Sequence, residues 1–549
     1  MKLPTFARPL VVLGLIVALA STVVAARSTA APLAPGATEA NITRLTTDVL
    51  ARSQYAHHPF DDALAATLLD RYLDALDGTR SLFTQADVDT FTSTYGPTLA
   101  EATRTTGDTR AAQAIFARYL ERLQQRAAYV QNELRTERFG FTGHDVYSFD
   151  RRHAARPRDL AAAEDLWRQR LRAEYLQEKL ARKPPAQIAS TLGHRYEQQL
   201  QTMKRLGRDE VLDVYLDTLA HVYDPHSDYM GHEQMESFSI AMNLSLVGIG
   251  ATLESKDGYC TIRDLVPGGP AARGGVLEPG DRIVAVAQPG KQPVDVVDMP
   301  LSRIVELIRG PKGTTVTLKI LPAGAPDGSL PRTASVVRAE VKLADQEAKA
   351  RIVDLPGADG STVRLGVIDL PAFYADMGGR QGASPRSATA DVAKLLVKLE
   401  AEHVRGVVLD LRRNGGGSLE EAISMTGLFI HRGPVVQTRD PAGDVEVSSD
   451  TDPAELYSGP LVVLVSRFTA SASEILAGAL QDYGRALVVG DSSTFGKGTV
   501  QNILPLSRIM DRAGLAHAFD PGALKVTVDK FYRPSGASTQ LRGVASDIV

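Results

Sequence analysis

The chain has 549 residues, 44% of them hydrophobic and 23% charged, with a formal net charge of −4. That is too long for one hydrophobic core and predicts several domains, while the near-neutral balance excludes a nucleic acid as a partner drawn by bulk electrostatics. Cys260 is the only cysteine, so an intrachain disulfide and a cysteine metal cluster are excluded.

Residues 1–26 read as an export signal. Lys2 and Arg8 give a basic start, an uncharged Leu- and Val-rich run follows, and it closes on Val23-Val24-Ala25-Ala26. The competing reading is an uncleaved membrane anchor, because the run is nearly long enough to span. Export and a single thiol together predict a periplasmic protein, with membrane contact only through periplasmic association or an uncleaved signal.

Residues 38–235 carry apolar positions at helical spacing, as at Leu64, Leu68, Leu69, Tyr72 and Leu76, then Ile115, Tyr119 and Leu123. They predict a helical domain. "HEQME" is not the HExxH zinc signature, because Glu236 stands where the second histidine belongs, and His57-His58 lacks further ligands at metal spacing.

Residues 237–323 change texture to short β-type runs divided by glycine. "SLVGIGATLES", "GPAARGG", "PGDRIVAV" and "GPKGTTVTL" follow one another as strand, turn, strand, short helix, strand, helix and strand. This stretch resembles a PDZ domain. A glycine loop exposes consecutive N–H groups that can hold a peptide carboxylate, and a neighbouring strand edge lets a peptide add as a strand. The expected carboxylate loop is Leu246, Val247, Gly248, Ile249 and Gly250.

Residues 324–549 alternate buried-type strands (364–370, 406–411, 461–466, 486–490) with helical stretches, predicting an α/β domain. "DSSTFGKGTVQ" follows the last strand and looks at first like a phosphate loop. Asp491 stands where a P-loop needs glycine and Gly498 where it needs Ser or Thr, so that reading fails. A lysine kept from water and from carboxylates loses its proton more easily and can act as a general base. "TASASEILAGALQDYG" supplies the hydroxyls at a strand-to-helix corner. Ser471 and Ser473 compete there for a nucleophile's role, against helix N-capping as the ordinary job of serine. The N–H of Ala472, at the helix N-terminus, can face a developing oxyanion. A Ser-His-Asp triad is disfavoured, since His403, His431 and His517 sit in no motif tied to Ser471 and GxSxG is absent.

"TASASE", "LRRNGGG", "QDYGRALVVG" and "FGKGTVQ" together resemble the C-terminal-processing peptidases of the tail-specific type. "DPHSDY" (224–229) and "KFYRPSGASTQLRGV" extend the resemblance to the end of the chain. It implies a multidomain α+β protein: an N-terminal helical domain, a PDZ-like module and an α/β (crotonase- or Clp-protease-like) serine peptidase domain. It places the nucleophile on Ser471 and the general base on Lys497, 26 residues on and one more than the family pattern, with the surplus in the loop "GDSSTFGK". Gln501 matches a residue that orients the lysine. Asp482 matches an aspartate counted with the catalytic residues, and structural support is its expected role. Glu474 and Thr494 are expected to support the site. The Asn414-Gly415-Gly416-Gly417 turn is implied as a second oxyanion donor, with Gly416 first and Gly415 and Gly417 beside it. The resemblance also implies protein substrates with apolar C-termini, a lipoprotein adaptor as partner, and no metal or organic cofactor. It implies a further helical segment beyond "GVASDIV". The rival function is a catalytically degenerate PDZ protein that only binds tails.

Overall fold

The computed structural model describes residues 36–136, 139–326, 329–358, 360–376 and 386–549. The export signal expected at 1–26 lies outside them. Among the described residues no helix is long and apolar enough to cross a membrane.

The N-terminal part is built from α1 (Ala37–Ser53), α2 (Asp62–Leu76), α3 (Gln85–Tyr95), α4 (Arg110–Thr136), α5 (Leu160–Leu180), α6 (Pro185–Lys204) and α7 (Arg208–Tyr223). The starts are capped as the sequence allows. Asp61 and Asp159 accept the N–H of Leu64 and Ala162, and Thr84 and Asp87 form a reciprocal capping box. The periodic positions Leu68, Leu69, Tyr72, Ile115, Tyr119 and Leu123 are buried together. That core does not stop at the helices. It continues into Leu506, Met510, Leu524 and Val526 of the C-terminal part.

The join is made by backbone. The "DPHSDY" turn leads into β1 (Asp228–Met230), which pairs antiparallel with a strand at Ala523–Tyr532, Asp228 facing Lys525. The residues following α7 thus belong to a sheet of the C-terminal domain. Turn residues such as Asp, Pro and Ser conceal a short strand whose partner lies nearly 300 residues away.

After α8 (His232–Asn243), β2 (Ser245–Gly248) opens the PDZ-like module. Its main sheet runs in the order β3-β4-β5-β7-β8, from β3 (Ala251–Lys256), β4 (Tyr259–Leu265), β5 (Arg282–Ala287), β7 (Thr315–Leu321) and β8 (Arg332–Val337). β6 (Val294–Asp295) pairs with β5, and the short helix α9 (Pro270–Gly274) and α10 (Leu301–Ile308) complete the order expected from the sequence. Ile249, Ile262, Ile283, Val316 and Leu318 form its core. Cys260 is buried there, and burial pushes its thiol up to about 12, which makes it inert. β9 (Ala339–Lys342) returns to pair with β2.

Among the described residues the C-terminal domain has two sheets. One follows the order β10-β11-β12-β15-β16, from β10 (Lys349–Pro356), β11 (Thr362–Asp369), β12 (Gly406–Asp410), β15 (Leu461–Val465) and β16 (Leu487–Gly490). β11, β12, β15 and β16 pair in parallel, which suits their apolar runs, and β10 is an antiparallel edge. α11 (Ala388–Ala401), α12 (Leu419–Gly427) and α13 (Ala472–Asp482) connect them. The other sheet is antiparallel: β1, then β18 (Ala523–Tyr532), β13 (Gly433–Arg439) and β14 (Val445–Asp450), with β17 (Thr499–Pro505) also on β18. α14 (Leu506–Arg512) links β17 to β18. This second sheet is not anticipated by the alternating α/β pattern. α13 is buried from Ala472 through Leu480, which explains its run of small residues.

Leu244, between α8 and β2, pins the PDZ-like module to the core of the C-terminal domain. It is 2% exposed, packs in the core of the C-terminal domain and carries φ of +46°. Leu244→Ala should cost about 3 kcal/mol, read as a lower denaturant midpoint.

Candidate active site

α13 begins at the C-terminal end of the parallel sheet, where open α/β sheets present their ligand crevice. Ser471 is its N-cap and takes φ of 57° and ψ of −117°. A positive φ at a residue with a side chain is strained and survives only where its surroundings fix it. Ser471 and Ser473 differ in their surroundings. Ser473 is fully buried, and its hydroxyl donates to the carbonyl of Asn414 at 3.0 Å. Ser471 is half-buried.

Glu474 provides the fixing. It is fully buried, one turn into α13. Its Oε2 accepts the N–H of Ser471 at 2.8 Å and the N–H of Lys497 at 3.0 Å. Its Oε1 accepts the Thr494 hydroxyl at 2.6 Å and the Gly496 N–H at 2.8 Å. One carboxylate oxygen therefore holds both the serine corner and the lysine loop. Burial raises the Glu474 pKa, and the four donors pull it back down. Thr494 also accepts the N–H of Val544 at 2.7 Å, so the loop is tied to the C-terminal segment as well.

Lys497 is half-buried, and among the described residues no carboxylate forms an ion pair with its amine. Burial is the main force that lowers its pKa, to about 8; the charge of Lys525 adds to this, while Asp228, Glu474 and Asp224 act the other way. The flanking glycines have steric reasons. A side chain on Gly496 (φ +97°) would meet the Leu541 backbone at 3.1 Å, and one on Gly498 would meet Gln540 at 2.9 Å.

Gln501 lies on β17, opposite Thr527 of β18. Its Nε2 donates to the hydroxyls of Thr499 at 2.8 Å and Thr527 at 3.1 Å. Asp482 is not brought to the site. It ends α13, roughly 16 Å along the helix from Ser471, and pairs with Arg533 at 2.5 Å while taking the Ser535 N–H and hydroxyl. Returning to the same azimuth does not bring it back along the axis. It anchors the segment after β18, a supporting role and not a catalytic one.

The glycine turn needs a correction too. Gly416 lies against the serine corner: an added Cβ would be 2.9 Å from the Ala470 carbonyl oxygen and from the Ser471 Cβ. Its N–H, however, already donates to Asn414 Oδ1 at 2.9 Å. Asparagine two residues ahead closes a local turn, so Gly416 serves close approach and not oxyanion donation. Gly415 and Gly417 are exposed neighbours, and Ala472 has the helix N-terminal position.

In the PDZ-like module, Leu246, Val247 and Gly248 are spent in the ladder opposite Val341, Glu340 and Ala339. The Ile249 side chain is core. The Ile249 and Gly250 carbonyls accept the N–H groups of Ala271 and Val266, which leaves the backbone N–H groups of the turn as what it can offer a ligand. α10 packs across β3, and its Arg303 reaches Glu210 of α7 at 3.1 Å.

The "DPHSDY" turn, to which no motif assigns chemistry, lies beside Lys497: burial lowers the pKa of His226 and the lysine charge lowers it further. Asp217, His221 and Asp228 bring ligand atoms within 4.8 Å of one another. Lys525 Nζ already sits 2.6 Å from Asp228, and the hydrogen bond that His221 donates to Asp228 raises its pKa to about 9, keeping it protonated. A metal is disfavoured by both cations.

Three family models match successive parts of the chain: the tail-specific protease N-terminal domain over residues 46–233, the PDZ domain over 237–321 and peptidase family S41 over 364–549. A tail-specific protease of Haemophilus influenzae is 39% identical over 92% of this chain, which spans 69% of that protein's length. A carboxy-terminal-processing protease of Bartonella bacilliformis is 33% identical over 59% of this chain and 66% of its own length. A solved PDZ domain of a carboxy-terminal protease from Vibrio cholerae, in complex with peptide, is 47% identical and covers 18% of this chain and 100% of that one, with a TM-score of 0.18.

Glu474→Ala should unseat the serine and lysine together. Four donors lose their acceptor, so stability should fall by about 3 kcal/mol or more. Any peptidase activity should fall by more than about 100-fold, measured on the fraction that remains folded.

Proposed function

The chain belongs to peptidase family S41 with the domain order of the tail-specific proteases, and from that premise we propose that it is an exported serine endopeptidase working by a Ser471–Lys497 dyad. Its place is the periplasm, and its substrates are proteins with apolar C-terminal tails, captured by the PDZ domain. A lipoprotein adaptor is a proposed partner. The observation that supports the dyad most is the shared acceptor: Glu474 Oε2 holds the N–H of both Ser471 and Lys497.

The chemistry follows from the surroundings. Lys497, neutral above about pH 8, takes the hydroxyl proton as Ser471 attacks the peptide carbonyl. It then gives that proton to the leaving amine, and water releases the acyl group from Ser471 by the same route. The Ala472 N–H stabilises the tetrahedral oxyanion, with Gly415 or Gly417 as second donor in place of Gly416. The tail's carboxylate sits on the Gly248–Gly250 turn and its last residues add along β3, beside α10.

Ser471→Ala and Lys497→Ala should each abolish cleavage of an unfolded protein with an apolar C-terminus while leaving the fold intact. Full activity in either variant would contradict the dyad. Amidating the substrate's C-terminus should raise KM; cleavage indifferent to the amide would remove tail recognition and leave the protease. The pH profile has a definite sign. The working form is the neutral amine, so kcat/KM should fall about tenfold per unit below the Lys497 pKa of about 8 and level off above it.

A further inference from the structure

One buried guanidinium joins α10 to the strand that seats the Gly248–Gly250 turn. Arg338 stands between β8 and β9 and is 1% exposed. Its Nε donates to the Ile308 carbonyl at 2.8 Å. Its Nη1 donates to the Thr314 hydroxyl at 2.8 Å and the Thr315 carbonyl at 3.3 Å. Its Nη2 donates to Gln288 Oε1 at 2.8 Å and the Leu307 carbonyl at 3.4 Å. Every one of these acceptors is neutral, and among the described residues no carboxylate pairs with Arg338. Burying a cation without a counter-charge is costly, and packing alone would be served by an apolar residue.

The acceptors show what the guanidinium holds. Leu307 and Ile308 end α10, and their carbonyls have no partner within the helix. A cation there also suits the negative end of the helix dipole. Gln288, just after β5, repeats the hold: its Nε2 donates to the Leu307 carbonyl at 2.5 Å while its Oε1 takes Arg338. The Thr314 hydroxyl accepts from Arg338 and donates to the Pro311 carbonyl at 2.6 Å, so the turn between α10 and β7 is fixed as well. The approach is close: a side chain on Gly310 would meet Arg338 Cζ at 2.9 Å. The Arg338 backbone grips the same turn, donating its N–H to the Thr314 carbonyl and accepting the Gly313 N–H, each at 2.8 Å. The next residue, Ala339, opens β9 opposite Gly248, and Val341 stands opposite Leu246. Val341 also lies against Gly250, where an added Cβ would be 3.4 Å from its side chain.

We propose that Arg338 is a positioning residue for tail capture: it holds α10, one wall of the groove, in register with β9, the strand that seats the carboxylate turn. A tail added along β3 touches both at once, with its carboxylate on the turn and its last side chains against α10. The spacing between wall and turn decides whether both contacts form together, and Arg338 sets that spacing before the tail arrives. An amidated tail lacks the carboxylate contact and does not depend on the spacing. The inference rests on the reading that the PDZ domain captures substrate C-termini.

The test uses the full chain. Binding of a labelled peptide with an apolar C-terminus, as free acid and as amide, is measured in the Ser471→Ala background, and kcat and KM are measured in the active chain on an unfolded protein ending in that tail. Arg338→Met keeps the apolar stem and removes every guanidinium bond. It should raise Kd for the free acid, and KM with it, by about tenfold or more. It should leave kcat and the weak binding of the amide within about twofold. Gln288→Ala leaves the guanidinium in place and removes the second hold on Leu307; it should raise Kd for the free acid by about threefold and decides the matter if Arg338→Met does not fold. A wild-type Kd in the deciding variant, an equal loss of acid and amide binding, or a fall in kcat at unchanged KM overturns the positioning role alone. A wild-type chain that binds acid and amide equally overturns the tail-capture reading, and the positioning role with it.

Discussion

One buried carboxylate oxygen sets the geometry on which the site depends. Glu474 Oε2 receives two N–H groups, from residues on either side of the crevice. Acting from within α13, it fixes the strained corner at Ser471 and the loop that carries Lys497. A carboxylate buried without donors would cost several kcal/mol; here four donors satisfy it, and satisfying them all demands a single arrangement of both segments. The buried environment that this arrangement creates is also what lowers the Lys497 pKa. Structure and basicity thus have a common origin.

The second sheet carries that order outward. β18 is paired on one side with β17, which follows Lys497, and on the other with β1, which follows the helical domain. Its residue Thr527 meets groups from both. A core that runs from α2 and α4 into Val526 makes the helical domain and the second sheet one packed unit. Any movement of α7 relative to the sheet would be felt at β18.

Much of this is legible in the sequence, for physical reasons. Parallel strands buried on both faces must be apolar runs, so β11, β12, β15 and β16 stand where 364–370, 406–411, 461–466 and 486–490 predict them. The glycine-punctuated PDZ order is visible because tight turns need glycine. The positions Ser471 and Lys497 come from motif and resemblance. What stays hidden is polarity and distance. Asp482 shares an azimuth with Ser471 yet stands three turns away, paired to Arg533. The Gly416 N–H is spent on Asn414, a local asparagine turn that the spelling "NGGG" could have suggested. The "DPHSDY" segment falls within the stretch 38–235 that predicts a helical domain, and only the long-range pairing of Asp228 with Lys525 makes its end a strand beside the site.

The account stands on a lysine whose surroundings release its proton early. Selective labelling of the Lys497 amine, followed by an NMR titration of the Ser471→Ala protein, reads that directly and without turnover. The account predicts a midpoint of about 8; a midpoint at the ordinary 10.5 would contradict it.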